Sequence, residues 1–417
     1  MKKNRHIRTA LPVYVRGLYY GKYTLRQASE STGYSIPYLS VMKKNYSLYG
    51  DSVFHNKNTG RAPVNKLPTS LRQKVAALYA ASYTDVNFRY FTSCLHEFEN
   101  LTLSYKTVAA ILKEYGMVSP EAHKVRKKKE VHRPRIRRQC EGDLLQIDGT
   151  PFAWFYKFGN ENRYCLTGAI DDATGKITGL YLTEFECIYG YLEIMRQTCQ
   201  RFGVPREIYS DRAAIFCYTP RGRDLSQWEK LEVMKEKRTQ WQRILDELNI
   251  NQILAWSPEA KGRVERMWRT LQGQLPVWLY KKGYSSLSEA NAHLHEYIEQ
   301  FNNSFGVAPA VDDDFWLDPP FNLDEILCAK FKRRADKNGC ICFQSIQLYS
   351  PETTCFAYRD VEVCINESGI FAKYKDQYYR LVPVGEMVQQ VRGDSMTETV
   401  ASIIHRYLFA FSKEVSA

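Results

Sequence analysis

The chain of 417 residues lacks the features that would place it in several common classes. Its 11 cysteines run from Cys94 to Cys364 without a Cys-x-x-Cys pair, although Cys340 and Cys342 come close. This spacing indicates neither a disulfide framework nor a zinc ribbon, and it fits a reducing cytoplasm. The apolar stretch of residues 10–15 ends at Arg16, and no run reaches membrane-spanning length. The sequence therefore predicts a soluble protein with no membrane partner.

Acidic residues are outnumbered by basic ones. There are 46 Asp and Glu against 58 Lys and Arg, which leaves a formal charge of +12 and a pI near 9.0. Such a balance favours a polyanionic partner, and nucleic acid is the commonest one. The length predicts about three domains, enough for one sizeable core and smaller modules.

Residues 24–35 show the pattern of two helices joined by a glycine turn. Ala28 permits a close approach of the helices, Gly33 can take the positive φ of the turn, and Ser35 can cap the second helix. We interpret residues 1–50 as a helix-turn-helix DNA-binding domain. An ordinary helical hairpin is the alternative. The residues expected to face DNA are Tyr38, Ser40, Lys43 and Lys44.

A second helical module is predicted after a linker. Residues 51–68 are rich in Asn, Gly, Pro and Lys and have no periodicity, which is typical of a linker. Apolar residues at helical spacing then predict three helices in residues 69–118, the last of them capped by Ser104. We interpret this stretch as a second helix-turn-helix DNA-binding domain. Its predicted DNA-facing residues are Tyr105, Lys106 and Thr107.

Residues 119–139 are predicted to be a basic linker that follows DNA. Nine basic side chains and one acid lie between residues 124 and 138. Mutual repulsion keeps such a segment extended until phosphates neutralise it. A solvated charge run is the alternative interpretation. The residues predicted to contact phosphates are Lys127, Lys128, Lys129, Arg133, Arg135, Arg137 and Arg138.

The next segment, residues 140–305, has the element order of an α/β ribonuclease H-like core with a mixed five-stranded sheet. An amphipathic helix is predicted between the third and fourth strands, ending near residue 203, and another helix begins at residues 257–259. Residues 217–247 form a charged insertion within this core. The predicted strands are residues 143–148, 164–170, 177–183, 206–210 and 250–256.

Three carboxylates of this core are candidates for one site. Asp148 and Asp211 each end a short apolar run, whereas Glu265 lies on the last helix. If they converge at one edge of the sheet, they offer the oxygen ligands that hard divalent cations prefer. Such cations can clamp the attacking and leaving oxygens of a phosphodiester. This arrangement predicts phosphoryl transfer on nucleic acid.

Other acids in this region compete with the three carboxylates. Strand alternation places Asp143 on the face opposite Asp148, where it more naturally pairs with the basic linker. Asp171 and Asp172 lie in a turn, which favours a structural role. Glu259, in the first turn of its helix, is an alternative to Glu265 as the third ligand.

The C-terminal part differs from the preceding segment in its sequence pattern. Short alternating strands within residues 325–390 predict a small β-barrel, and residues 391–417 predict a helical tail that serves self-association.

Taken together, the motifs resemble a known group. The chain is similar to DDE-type transposases with a retroviral-integrase-like catalytic core, and in detail to bacterial insertion-sequence transposases of the ISNCY type. The likeness covers about residues 10–310. The matching segments are residues 142–149 (Gly-Asp-Leu-Leu-Gln-Ile-Asp-Gly), residues 209–211 (Tyr-Ser-Asp), residues 257–266 (Ser-Pro-Glu-Ala-Lys-Gly-Arg-Val-Glu-Arg) and residues 270–272 (Thr-Leu-Gln).

The resemblance implies a function, a cofactor and a set of partners. Asp148, Asp211 and Glu265 would hold two Mg²⁺ ions, for which Mn²⁺ can substitute. The protein would cleave DNA at transposon ends and join the freed 3′-hydroxyl to target DNA. Its partners would be double-stranded DNA, both transposon ends and target DNA, and further copies of itself, at least a dimer in the synaptic complex. It would act in the bacterial cytoplasm, in association with the nucleoid. Cationic residues beside Glu265 would bring phosphates to the metals: Lys261, Arg263, Arg266 and Arg269.

Two alternatives from other classes stay open at this point. The chain could be a sequence-specific DNA-binding regulator with a catalytically silent core. It could also be a nuclease acting on RNA–DNA hybrids, although two sequence-reading modules suit such a nuclease poorly.

Overall fold

The computed structural model describes residues 5–55, 67–120, 136–218, 238–255, 262–343, 346–384, 400 and 403–409. Two compact units divide the chain, residues 1–74 and residues 75–417. Within the described ranges, no helix is both long and apolar enough to cross a membrane.

The N-terminal unit is helical. A small core holds its three helices together, with Val15, Leu18, Ala28 and Leu39 buried. Their bounds are Arg5–Tyr19 (α1), Leu25–Thr32 (α2) and Ile36–Tyr49 (α3), followed by a 3₁₀ turn, Gly50–Phe54.

The glycine turn of this unit forms as the sequence predicted, but its cap differs. Gly33 ends α2 with a φ of 68°, the left-handed conformation that glycine adopts without strain. Ser35 occupies the N-cap position of α3, yet its side chain makes no capping hydrogen bond. The capping box lies instead at α2, where Thr24 and Gln27 bond each other's backbone.

Three more helices precede the sheet: Thr69–Ser82 (α4), Phe88–Glu97 (α5) and Tyr105–Glu114 (α6). The Ser104 hydroxyl accepts a hydrogen bond from the Thr107 backbone N–H at 3.2 Å, which confirms the predicted cap. Tyr79 packs edge-on against Phe91, with 5.0 Å between ring centroids. The helical N-terminal region predicted from the sequence is therefore confirmed.

The central sheet has five strands in the order β3-β2-β1-β4-β5. The first three strands are antiparallel neighbours, whereas β4 runs parallel to both β1 and β5. The predicted mixed five-stranded sheet is confirmed. The strand bounds are Leu145–Phe152 (β1), Tyr164–Asp171 (β2), Ile177–Thr183 (β3), Glu207–Ser210 (β4) and Asn251–Leu254 (β5).

The first strand begins later and ends later than the sequence predicted. It starts at Leu145, so Asp143 precedes it, and it continues to Phe152. Asp148 consequently lies in the middle of β1, where pairing with β2 continues for four further residues.

Helices cover both faces of the sheet. Ile188–Arg201 (α7) and Gln240–Glu247 (α8) pack on one face, with Trp241 fully buried, and Gly262–Lys282 (α9) and Leu287–Phe305 (α10) pack on the other. Parallel strands need a crossover connection, and α8 lies in the one between β4 and β5. The end of the segment predicted as an insertion thus belongs to the sheet's own connectivity.

The C-terminal strands form two open sheets, and a closed β-barrel is not confirmed among the described residues. One sheet has the order β11-β10-β9-β6 and the other β12-β8-β7. A short helix, Leu323–Ile326 (α11), precedes them. The strands are Ala329–Arg334 (β6), Ile341–Phe343 (β7), Ile346–Tyr349 (β8), Asp360–Asn366 (β9), Gly369–Tyr374 (β10), Gln377–Arg380 (β11) and Val382–Pro383 (β12).

The described part of the tail packs on its own chain. Tyr407 lies against Phe331 and Phe343, with ring centroids 4.7 and 5.2 Å apart. Leu408 is buried, and Phe409 lies against Tyr189 of α7. These residues therefore contribute to the core of the 75–417 unit, and the predicted role in self-association stays a prediction.

Candidate active site

Two of the three predicted carboxylates follow a pair of neighbouring strands. In the parallel pair β1 and β4, Gln146 is opposite Tyr209. Two residues further along, the strands reach Asp148 and Asp211. Adjacent strands are about 4.8 Å apart, so this register places the two backbones close together. The backbone N–H of Ala213 donates to Asp211 Oδ1 at 2.8 Å, which fixes that carboxylate just beyond the end of β4.

Helix α9 runs alongside β1 and holds the face that carries Asp148. Residues four positions apart on α9 donate hydrogen bonds to side chains two positions apart on β1, because both steps span about 6 Å. The three hydrogen bonds are Val264 N–H to Gln146 Oε1 at 3.3 Å, Trp268 Nε1–H to Asp148 Oδ2 at 3.1 Å, and Gln272 Nε2–H to Thr150 Oγ1 at 3.4 Å. This ladder fixes the helix against the strand in one register.

Glu265 lies on the first turn of α9, beside this ladder, and its side chain is exposed. It precedes Trp268 by three residues and therefore shares a helix face with the side chain that contacts Asp148. Among the residues with a described placement, no three His, Cys, Asp or Glu side chains are grouped closely enough to hold a metal ion. The pairing of β1 with β4 thus ends two residues before Asp148 and Asp211, and the helix of Glu265 lies along β1.

Trp268 was not singled out in the sequence, and it is the direct protein contact of Asp148 from α9. Its indole is nearly buried and lies against Gly168, where an added Cβ would stand 2.7 Å from the ring. The absence of a side chain at position 168 lets the ring reach β1. In the sequence, Trp268 stands out only as one of the apolar residues at helical spacing on this helix, with Val264, Leu271 and Leu275.

We expect Trp268→Phe to lower the rate of DNA cleavage about tenfold, because a hydrogen bond to a charged acceptor contributes about 1.5–3 kcal/mol. Trp278→Phe is the matched control, since Trp278 is buried on the same helix and its indole N–H has no hydrogen-bond partner in the described structure. Single-turnover cleavage and thermal unfolding of both variants measure the effect. Equal rates for the two variants would show that the bond to Asp148 is unimportant.

A buried carboxylate anchors the start of α9. Asp172 has no exposed surface, and its Oδ1 accepts Arg263 Nε–H at 2.6 Å and Gln146 Nε2–H at 2.8 Å. Its Oδ2 accepts the backbone N–H of Arg138 at 2.8 Å. Asp172 therefore joins the first turn of α9, strand β1 and the segment that follows the predicted basic linker. Its partners are far apart in sequence, which is why the turn pattern alone did not reveal them.

Two other competing acids, Asp143 and Asp171, have structural partners, as the sequence analysis favoured. Asp143 forms ion pairs with Arg138 at 3.5 Å and with Arg206. Asp171 accepts hydrogen bonds from the N–H of Gly142 and from the N–H and hydroxyl of Thr174. Burial raises the pKa of Asp171, and the Thr174 hydrogen bonds counter that shift.

A further carboxylate approaches β1 from the α7 side. Glu186 Oε1 accepts the Tyr191 hydroxyl at 2.6 Å, and an added Cβ on Gly149 would stand 3.2 Å from the same oxygen. Burial raises the pKa of Tyr191 well above its usual value, and the charges of Glu186 and Asp148 raise it further. The sequence analysis did not identify Glu186, because no motif includes it.

The predicted DNA-facing residues differ in their surroundings. Tyr38, Ser40, Lys43, Lys44, Tyr105 and Lys106 are exposed, and Thr107 is half-buried. Arg266 and Arg269 are exposed on α9, whereas Arg263 and Arg138 are bound to carboxylates: Arg263 to Asp172, and Arg138 to Asp143 and Glu207. Lys127, Lys128, Lys129, Arg133, Arg135 and Lys261, together with Glu259, lie outside the described residues.

Arginine side chains gather near the start of α9. Partial burial lowers the pKa of Arg137, and the neighbouring charge of Arg263 lowers it further, while Asp172 and Asp171 oppose the shift. Arg266 adds to the lowering. Like charges held together in this way are stabilised by an anion, and a phosphate is suited to that role.

Comparisons with known proteins give two curated relatives. Transposase y4bF of Sinorhizobium fredii is 30% identical over 341 residues, which are 80% of this chain and 71% of that protein. The transposase for insertion sequence IS1202 of Streptococcus pneumoniae is 30% identical over 361 residues, 79% of this chain and 75% of that protein. No family model matches the chain.

Solved integrase structures align more distantly. The catalytic core of HTLV-2 integrase in complex with magnesium is 18% identical, with a TM-score of 0.28, over 39% of this chain and 86% of that one. A simian T-cell lymphotropic virus intasome bound to the PP2A subunit B56 gamma is 15% identical, with a TM-score of 0.31, over 74% of this chain and 96% of that one. Superpositions with scores this low establish neither fold nor function.

Proposed function

The chain belongs to the transposase family of both curated relatives, and we propose that it cuts DNA at transposon ends and joins them to target DNA through Asp148, Asp211 and Glu265. The observation that supports this proposal is the parallel pairing of β1 with β4, whose chains lead to Asp148 and Asp211, together with the hydrogen bonds that hold the helix of Glu265 along β1. We propose further that the sheet is the core of a ribonuclease H-like fold, since it is a mixed five-stranded sheet whose elements follow one another along the chain in the predicted order.

The residues present fit a site for divalent cations. Asp148, Asp211 and Glu265 supply only oxygen donors, which suits Mg²⁺, with Mn²⁺ as a substitute. The parallel pairing of β1 with β4 ends at Gln146 and Tyr209. Asp148 and Asp211 each come two residues later, beyond the paired part of the two strands. When bound there, two such cations would neutralise the phosphate and activate the attacking oxygen.

The surrounding residues orient the ligands and the DNA. The Trp268 indole N–H donates to one oxygen of Asp148, and the Ala213 backbone N–H donates to one oxygen of Asp211, so both carboxylates are held in a fixed orientation. Arg266 and Arg269, on the same helix as Glu265, would counter the charge of the phosphates near the cleaved bond. Positioning of this kind can supply a large part of the rate enhancement.

Recognition of the ends is proposed to reside in the N-terminal helices. We propose two DNA-binding modules, residues 1–50 and 69–118, connected to the core by the basic segment 119–139. Tyr38, Ser40, Lys43 and Lys44 are exposed on α3, which would be the reading helix of the first module. Joining two ends requires two sites, so we propose at least a dimer in the synaptic complex. The residues proposed for phosphate contacts are Lys106, Arg137, Arg266 and Arg269, together with the cationic side chains outside the described ranges.

A nicking assay tests the function. The DNA flanking the coding region is sequenced to find the inverted repeats, and a labelled duplex that ends in one repeat is incubated with the full-length protein. We expect a nick at the repeat end with Mg²⁺ or Mn²⁺ and none with a chelator, while binding persists in both. Specific binding without any nick at any metal concentration would instead support a DNA-binding regulator with a silent core.

A further inference from the structure

A cleft on the 75–417 unit separates the second set of helices from the helices behind the sheet. Its volume is about 1510 Å³, and α5 forms one side while α9 and α10 form the other. Arg89 lies on the α5 side, and Arg266 and Arg269 lie on the α9 side. The cleft also reaches Pro120, where the predicted basic linker begins. It is therefore placed between the proposed second DNA-binding module and the helix of Glu265.

Three arginines and two carboxylates line this cleft, and one of the two carboxylates is already paired with a cation. Asp85 forms an ion pair with Lys157 at 2.8 Å and accepts the Tyr156 hydroxyl. Glu97 accepts Gln300 Nε2–H at 2.7 Å.

The three arginines of the cleft are not paired in this way. Within the part of the chain that the structure describes, Arg89, Arg266 and Arg269 have no carboxylate partner within 4 Å. The guanidinium of Arg89 lies 5.8 Å from the ring centroid of Tyr105, a residue predicted from the sequence to face DNA. A cleft with three such guanidinium groups is suited to a polyanion.

The position of Arg269 on α9 is close to the proposed active site. Arg269 is four residues from Glu265, which is about 6 Å along the helix axis. A strand that reaches the proposed site can therefore contact Arg269 as well. Arg89 stands across the cleft on α5 and would contact a phosphate further from the cleaved bond.

We propose that this cleft binds the phosphodiester backbone of one DNA strand as it leaves the active site, with Arg89 of α5 contributing one wall and Arg269 of α9 the other. The inference rests on the proposed function, and it adds a role for α5 that the motifs did not suggest. Arg89 lies on α5 and not on the elements that carry Asp148, Asp211 and Glu265. Its contact with DNA should therefore contribute to DNA affinity and not to the chemical step.

The test measures how DNA affinity depends on salt. Full-length wild type, Arg89→Ala, Arg269→Ala and Arg89→Lys are titrated onto a fluorescent 30-base-pair duplex of random sequence, without divalent metal, between 50 and 200 mM KCl. Each lost phosphate contact should reduce the slope of log affinity against log salt by about 0.9. Over this fourfold range, the affinity of each alanine variant should therefore fall about 3.5-fold less than that of wild type, and Arg89→Lys should keep most of the slope.

Lys282→Ala is the matched control, because Lys282 is on the same helix and is already paired with Glu296 at 3.0 Å. Its slope should equal that of wild type, and melting temperatures show that every variant is folded. A wild-type slope for Arg89→Ala, or the same reduction in Lys282→Ala, would overturn the proposal. The proposed function is tested separately, because cleavage that depends on Asp148 would stand even if Arg89 proves irrelevant to DNA binding.

Discussion

Replacement of Asp148 by asparagine is expected to abolish DNA cleavage and strand transfer while binding to DNA ends is retained. Asparagine has nearly the same shape and keeps one oxygen that can accept the Trp268 indole N–H, so the packing of α9 on β1 should survive. It lacks the negative charge that a divalent cation requires at this position. Loss of that charge should lower the cleavage rate at least about a thousandfold, which corresponds to about 4 kcal/mol.

Three measurements separate this effect from misfolding. Single-turnover cleavage with Mg²⁺ reports the chemistry, a binding titration without metal reports recognition of the ends, and thermal unfolding reports stability. Asp376→Asn is the control, because Asp376 is an exposed acid of the C-terminal sheets whose positive φ suits asparagine. Cleavage by Asp148→Asn with an ordinary metal dependence would remove Asp148 from the site.

The sequence predicted the strands of the site because their chemistry is local. Asp148 and Asp211 each follow an apolar run, and runs of that length between polar turns are typical of buried strands. The pairing of β1 with β4 was not predicted, because the order of elements along the chain does not determine which strands are neighbours. The bounds of β1 were less accurate, since antiparallel pairing with β2 extends the strand through Gly149 to Phe152, beyond the apolar run.

Roles that depend on distant partners could not be predicted in the same way. Arg138 and Arg263 were interpreted as DNA contacts because they are cationic and lie in basic motifs. In the structure each is bound to a carboxylate that is far away in sequence, Glu207 and Asp172 respectively. Charge alone does not distinguish a phosphate-binding arginine from one that neutralises a buried acid.

The predicted C-terminal barrel is not confirmed, and the reason is different. Alternating polar and apolar residues predict strands with one buried face, and the strands of this region do form. Closure of a barrel depends on how the first and last strands pair, which alternation does not encode. In the described residues, β6 and β11 are the edges of one sheet, and β7 and β12 are the edges of the other.

Replacement of Asp172 by asparagine is the second change with a large expected effect. The carboxylate is fully buried and is bonded by Arg263, Gln146 and the backbone of Arg138. Asparagine keeps one oxygen that can accept a hydrogen bond, but it removes the negative charge that balances the guanidinium of Arg263, and breaking a buried ion pair costs about 3–5 kcal/mol. Arg263 precedes Glu265 by two residues, so the first turn of α9 should shift, and a shift of about 1 Å can cost about a hundredfold in rate.

A positioning role predicts more than a loss of stability, and a neighbouring carboxylate provides the comparison. Asp143 is also buried and also pairs with arginines, Arg138 and Arg206, but it makes no hydrogen bond or ion pair to α9 among the described residues. Asp143→Asn should therefore lower the melting temperature while cleavage at 25 °C stays near the wild-type rate. Asp172→Asn should lower both the melting temperature and the cleavage rate. The loss of cleavage should appear in the turnover rate at saturating DNA, whereas the DNA concentration that gives half the maximal rate should stay the same. If the two variants lose cleavage in proportion to their stability, Asp172 supports the fold in general and does not position Glu265.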